Sequence, residues 1–340
     1  MEKIKRYIDC KVPTYRCNLK CSYCYLGQYG VDLAREAEEN EYKYDAKTIR
    51  KALSRDRLGG VCYLMIVGEG ETLVDAEVID IADELLAEGH VIDLVTNGTM
   101  TKRFQELFDM IDPAYYGRLK FTFSLHYLEF KRLNLLDTFF DNIRLAKEKG
   151  TSFHVILNHC DEYLPYTEEI QKLCEEKVGA YPQLAYTHET GEDGKLRTCS
   201  RLSPREYYDA GSSYKSDMFD YQSRTWEKKQ TEFCYAGDWS FTLNLGTGIM
   251  SKCHSNGPWI NIFDDVNKEI PFEAVGKNCA SSMCQCTRFL AMGVAPGVCD
   301  DYTVERTMNR RVAGWFTKEM QYLLSTKLYE TNQRYDDKNV

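Results

Sequence analysis

Three cysteines stand within eight residues near the start of the chain: Cys17, Cys21 and Cys24, in the run Arg16-Cys17-Asn18-Leu19-Lys20-Cys21-Ser22-Tyr23-Cys24. Soft thiolates gathered on one short loop select zinc or iron–sulfur clusters. A [4Fe–4S] cluster takes four ligands, so a loop that offers three leaves one iron open to another molecule. Two other readings use the same thiolates: a ferredoxin-like cluster with Cys10 as fourth ligand, or a structural zinc site. Both are usually built on C-x2-C pairs, which this loop does not double.

The spacing C-x3-C-x2-C, with the aromatic Tyr23 before the last cysteine, resembles the signature of the radical S-adenosylmethionine (radical SAM) superfamily. The resemblance implies a [4Fe–4S] cluster whose open iron binds the amino and carboxylate groups of SAM. Reductive cleavage of SAM then gives a 5′-deoxyadenosyl radical that removes a hydrogen atom from the substrate. A second set of cysteines begins at Cys234, with Gly248 and Cys253 following in the pattern C-x13-G-x4-C. This is similar to the opening of SPASM and twitch domains, which hold auxiliary clusters. On that resemblance a glycine-turned hairpin brings Cys234 and Cys253 together, and Cys279 and Cys284 complete one auxiliary [4Fe–4S] cluster. Cys286 is the substitute for either of the last two, and a zinc site on the same thiolates is the alternative.

These loops need a scaffold. Val61–Val67 is a continuous apolar run of strand length, the sign of a strand buried on both faces. Val91–Thr96, Leu119–Leu125, Ser152–Leu157 and Gln183–Thr187 repeat the pattern, and residues 6–13 form a short strand before the cysteine loop. Helical patterns lie between them at about Val74–Ala87, Thr101–Met110, Asp137–Lys149 and Tyr166–Lys177. Alternating strands and helices argue for parallel βαβ units, and the resemblance implies a partial (βα)6 TIM-like barrel. The expected organisation is a barrel over residues 1–195, a connector over 196–232, a small cysteine-rich auxiliary domain over 233–300 and a helical segment over 301–340. Gly191-Glu192-Asp193-Gly194 reads as a turn, residues 195–232 as irregular, and about Arg306–Leu328 as one amphipathic helix on the outside.

Ligands of α/β folds bind beyond the carboxyl ends of the parallel strands. Glu69-Gly70-Glu71 lies there after the second strand. It resembles the family's Gly-Gly-Glu motif, which holds the SAM amino group, although Glu69 replaces the first glycine and no proline follows. Asn97, Ser124 and Asn158 end the third, fourth and fifth strands and match positions near SAM, while Tyr23 is expected to pack on adenine. His126, His159, Asp161, His188 and Glu189 are candidates for substrate binding or proton movement, with His126 taken as catalytic. Cys160 follows a strand end, where a thiol could return a hydrogen atom to a substrate radical.

Net charge is −9 and no basic stripe marks a nucleic-acid partner. No run approaches the roughly 20 apolar residues of a membrane span, and the first residues lack a signal peptide's apolar stretch, so a cytoplasmic enzyme is expected. Peptide-modifying relatives often carry a recognition domain ahead of the cysteine loop, for which Cys17 leaves no room. The reading is therefore a radical SAM oxidoreductase or epimerase acting on a small polar substrate, a saccharide before a peptide, with flavodoxin or ferredoxin as electron donor. Peptide modification and a non-catalytic iron–sulfur carrier or scaffold are the alternatives.

Overall fold

The computed structural model describes residues 2–24, 41–190, 196–277, 279–284 and 287–335. The expected turn at 191–194 and the substitute ligand Cys286 lie outside the described residues.

Strand β1 (Arg6–Val12) is followed by helices α1 (Ala46–Ala52) and α2 (Arg55–Leu58), then β2 (Cys62–Gly68). Helix α3 (Glu77–Glu88) buries Val78, Ile79, Ile81, Ala82, Leu85 and Leu86 on one face and stops at Gly89, whose φ of 103° suits a residue without Cβ. Next come β3 (Val91–Thr96), α4 (Thr101–Met110), β4 (Leu119–Ser124), α5 (Tyr127–Leu133), α6 (Leu136–Glu148), β5 (Ser152–His159), α7 (Thr167–Val178) and β6 (Gln183–Tyr186). Neighbouring strands from β1 to β6 pair in parallel. The mixed α/β architecture is that of a partial TIM-like barrel.

The C-terminal third is not a separate layer. After the ribbon β7 (His188–Thr190) and β8 (Leu196–Thr198), helices α8 (Pro204–Ser212) and α9 (Asp217–Thr225) occupy the stretch expected to be irregular. Ser203 and Glu206 form a capping box that starts α8. Helix α9 covers the exposed edge of β6: Leu184 N donates to Ser216 Oγ at 2.9 Å and Tyr186 N to Gln222 Oε1 at 3.0 Å. Strand β9 (Ser240–Asn244) then pairs in parallel with β1, and β10 (Ile249–Ser251) and β11 (Ile260–Asn261) extend the same sheet to nine strands.

Short helices α10 (Thr287–Ala291), α11 (Val304–Met308) and α12 (Lys318–Leu324) complete the described chain. The single helix expected over 306–328 is interrupted by extended backbone at Asn309 and a left-handed turn at Gly314. Nor does the whole segment pack outside. Trp315 is fully buried, donates to Val178 O at 2.9 Å and accepts from Phe153 N at 2.9 Å, closing the amino-terminal end of the barrel. Deeper inside, Lys120 and Asp93 form a wholly buried ion pair at 2.8 Å, and Tyr63 and Thr122 also donate to Asp93. Burial brings the Lys120 amine down to about 8 despite the Asp93 charge.

Candidate active site

The loop carrying Cys17, Cys21 and Cys24 is sewn to the segments after β2 and β3 and to helix α5. Gly70 N donates to Thr14 O at 3.0 Å and Glu71 N to Arg16 O at 2.8 Å. A Cβ on Gly70 would stand 2.2 Å from Arg16 O, so glycine is required by the approach of the loop's own backbone. Asn97 Nδ2 donates to Asn18 Oδ1 at 2.8 Å, Asn18 Nδ2 to Thr99 Oγ1 at 2.9 Å, and Lys20 N to Glu129 Oε1 at 2.9 Å.

Glu71 is buried and its carboxylate is committed to the protein. Thr96 Oγ1 donates to Oε1 at 2.6 Å, Leu73 N to the same oxygen at 3.1 Å, and Asn97 N to Oε2 at 2.7 Å. Burial raises its carboxyl above the ordinary value, and these three bonds work against that rise. Glu71 therefore ties the end of β2 to the end of β3, and through Asn97 and Asn18 it holds the cysteine loop. Gly70 and Glu71, expected to meet SAM directly, line the cavity while making these internal bonds.

That cavity, of about 490 Å³, is lined by all three loop cysteines and by Tyr23, Gly70, Glu71, Asn97, Ser124, His126, Asn158 and His188. Every cofactor-binding residue expected from sequence thus faces one space. Burial pushes the Cys17 thiol to about 11 and Cys21 to about 12, with the neighbouring cysteines adding to the rise. Metal ligation displaces these protons. Tyr23 Oη lies 2.6 Å from His126 Nδ1 and accepts from Tyr163 at 3.0 Å, and the same ring nitrogen stands 3.3 Å from Cys21 Sγ. His126 is brought to about 4 by burial, so it is a neutral contact of the loop.

Four residues considered from sequence, Cys160, His159, Asp161 and Cys10, sit elsewhere. Cys160 is 4% exposed, lines neither the loop cavity nor the barrel interior, and its thiol is pushed to about 12 by burial. Ile156 and Asn158 on β5 line the barrel interior, whereas Cys160, past the strand's end at His159, caps the 3-10 turn Asp161–Tyr166 and is packed in the core. His159 is a core residue whose Nε2 lies 3.2 Å from Tyr207 O, and Asp161 accepts from Ser200 and Arg201 N. Cys10 is fully buried on β1, on the face opposite Tyr7, Asp9 and Lys11.

A second space, of about 440 Å³, occupies the barrel interior and meets the first at Glu69, Asn158, Tyr186 and His188. Asp9 and Lys11 from β1, His254 and Arg288 line it together with Trp226. These residues come from distant segments, and sequence reasoning missed them. The only local signal was the polar alternation of Asp9 and Lys11 within a strand that a barrel buries.

Cys234, Cys253, Cys279 and Cys284 line a third, small space beside Phe289 and Val294. Cys234 is pushed to about 12 by burial, with Cys284, Cys253 and Cys279 adding to the rise. Among the described residues no three Cys, His, Asp or Glu side chains could hold one metal ion together. A four-iron cluster spreads its thiolates over separate irons, a wider arrangement than a single ion's.

A parallel barrel with three thiols on one loop at its carboxyl end, facing a ligand-sized cavity, defines a class of cluster-bearing barrel enzymes. Residues 11–174 match the Radical SAM superfamily, so the barrel is a radical SAM domain. The family's cofactors are a [4Fe–4S] cluster and SAM, and the donor set fits them. No curated protein sequence matches the chain. Among solved structures, Streptococcus suis SuiB bound to S-adenosylmethionine aligns with TM-score 0.54 and 14% identity over 79% of this chain and 67% of SuiB. SuiB has also been solved with its precursor peptide SuiA. The AdoMet-bound anSMEcpe aligns with TM-score 0.51 and 17% identity over 78% of this chain and 77% of its own. At such identities the likeness shows the fold. No helix among the described residues is long and apolar enough to cross a membrane.

Proposed function

We propose that the protein removes a hydrogen atom from a C–H bond of a small polar substrate, a saccharide or related polyol, and that the outcome is oxidation. The observation that carries this reading is the barrel cavity of about 440 Å³ joined to the cysteine-loop cavity. Its size is in the ordinary range for small-molecule sites. Its lining mixes acceptor, donors and flat aromatic faces: Asp9, Lys11, Arg288, Tyr186 and Trp226. Such a mixture suits a molecule with many hydroxyl groups.

When bound, the cluster on Cys17, Cys21 and Cys24 with SAM supplies a hydrogen-abstracting radical, and an auxiliary cluster on Cys234, Cys253, Cys279 and Cys284 supplies an electron acceptor. The residues of the chain position and deprotonate. Glu71, Asn97 and Asn18 fix the loop, while Asn158 and His188 stand where the two cavities meet. Abstraction from an H–C–OH unit leaves a carbon radical; loss of the hydroxyl proton and one electron then gives C=O. Burial lowers the His188 imidazole below its ordinary value, and this neutral ring at the junction is the base proposed to take that proton. Oxidation is preferred to epimerisation because, among the described residues, no cysteine outside the loop lines either joined cavity. Reducing equivalents come from a flavodoxin- or ferredoxin-type partner.

A second reading, peptide modification, has one observation in its favour. An open space of about 770 Å³ meets the barrel cavity at Tyr186 and Trp226 and is large enough for a peptide segment.

Turnover in deuterated water tests the outcome. A two-mass-unit loss from a saccharide supports oxidation, deuterium appearing at carbon supports epimerisation, and turnover confined to peptides sinks the saccharide reading. About eight irons per chain supports two clusters. About four irons, with zinc held by the Cys234 set, removes the proposed electron acceptor.

A further inference from the structure

Asp9 lies on the inner face of β1 and borders the barrel cavity between Tyr7 and Lys11. Its side chain is 5% exposed. Oδ2 is fixed by His254 Nε2 at 2.9 Å, but Oδ1 is buried without a hydrogen-bond partner; its nearest cation, Lys11 Nζ, stands 3.8 Å away. Leaving a buried charged acceptor unmet is costly, so native proteins rarely do so without a reason. A barrel that needed only filling would place an apolar side chain here, as it does with Ile156, Met218 and Met308 elsewhere in the lining. Instead, separate segments bring Lys11, His254 and Arg288 around this one carboxylate.

Resting on the function proposed above, we propose that Asp9 anchors the substrate, its unmet Oδ1 accepting a hydrogen bond from a hydroxyl group of a small polyol in the barrel cavity. The surrounding cations offset the Asp9 charge, which favours a neutral hydroxyl donor over an ammonium group. Lys11 and Arg288 donate to other oxygens of the same molecule, while Trp226 and Tyr186 offer a flat face to its C–H groups. The anchor thereby decides which carbon faces the junction at Asn158 and His188.

The test is calorimetric titration of the anaerobically reconstituted, SAM-loaded protein with myo-inositol, glucose and triglycine amide. The expected result is that a polyol binds the wild type and that Asp9→Ala weakens it roughly tenfold or more, as loss of a bond to a charged group implies. Asp9→Asn, which keeps an acceptor for His254 and guards against a folding defect, should weaken it as well. SAM affinity, measured alongside, should not change in either variant. Equal polyol affinity in the wild type and both variants, no polyol binding to the wild type, or Asp9 dependence confined to triglycine amide would each overturn the assignment. Failure of the parent reading is separate: it appears as absence of SAM cleavage by reduced wild type, which these titrations do not measure.

Discussion

Gly70→Ala perturbs the contact on which the cysteine loop rests. The added Cβ would lie 2.2 Å from Arg16 O and 2.7 Å from two further backbone carbons of Tyr15 and Arg16, none of which belongs to a flexible side chain. Relief demands that the loop retreat by about 1 Å, since ordinary carbon contacts begin near 3.5 Å. That movement breaks the bonds from Gly70 N to Thr14 O and from Glu71 N to Arg16 O. Two backbone bonds at about 1 kcal/mol each, plus about 1 kcal/mol of overpacking, give a loss of about 3 kcal/mol. The backbone at Gly70 is not left-handed, so steric approach alone accounts for the effect. Urea unfolding of the metal-free protein reads the stability loss, and iron per chain after reconstitution reads the loop. Gly257→Ala is the control, since nothing lies within 4 Å of its would-be Cβ. Unchanged urea midpoint together with unchanged iron content in Gly70→Ala would refute the reasoning.

Glu71→Gln replaces one acceptor oxygen by an amide that faces a donor, so urea titration should show a loss of about 2 kcal/mol. SAM affinity by calorimetry should fall with it, because Asn97 loses its anchor. Lys120→Met takes the ion-pair partner from the buried Asp93 carboxylate, and unfolding should report a loss of about 3 kcal/mol. The Asp9 carboxyl is held at about 2: burial pushes it up, but Lys11, His254 and Arg288 outweigh that. A folded pKa below the ordinary 3.8 contributes stability above that value and loses it as pH falls toward 2. The wild type should therefore exceed Asp9→Asn by about 2 kcal/mol at pH 6, and urea curves for the two should converge near pH 2.

Much of this was legible because parallel strands buried on both faces write continuous apolar runs. Val91–Thr96 and Thr101–Met110 read from the sequence with the bounds they have in the fold. The cysteine loop was legible because its spacing is local, and Cys234, Cys253, Cys279 and Cys284, singled out from sequence, line one space. What escaped depends on contacts far apart in sequence. Helix α9 owes its place to the unpaired edge of β6, and Trp315 to the open end of the barrel. The Ser203–Glu206 capping box was a local signal, obscured by the aromatic, polar texture around it. Cys160 was picked for its place after a strand end, a position that does not say whether the thiol meets the cavity. The pairing of Asp9 with His254 spans most of the chain, and no local pattern announces it.

The most direct measurement is 5′-deoxyadenosine formation from SAM by the anaerobically reconstituted, dithionite-reduced protein. The wild type should form it and Cys24→Ala should form none. A wild-type protein with its full iron complement that leaves SAM intact would contradict the proposed chemistry.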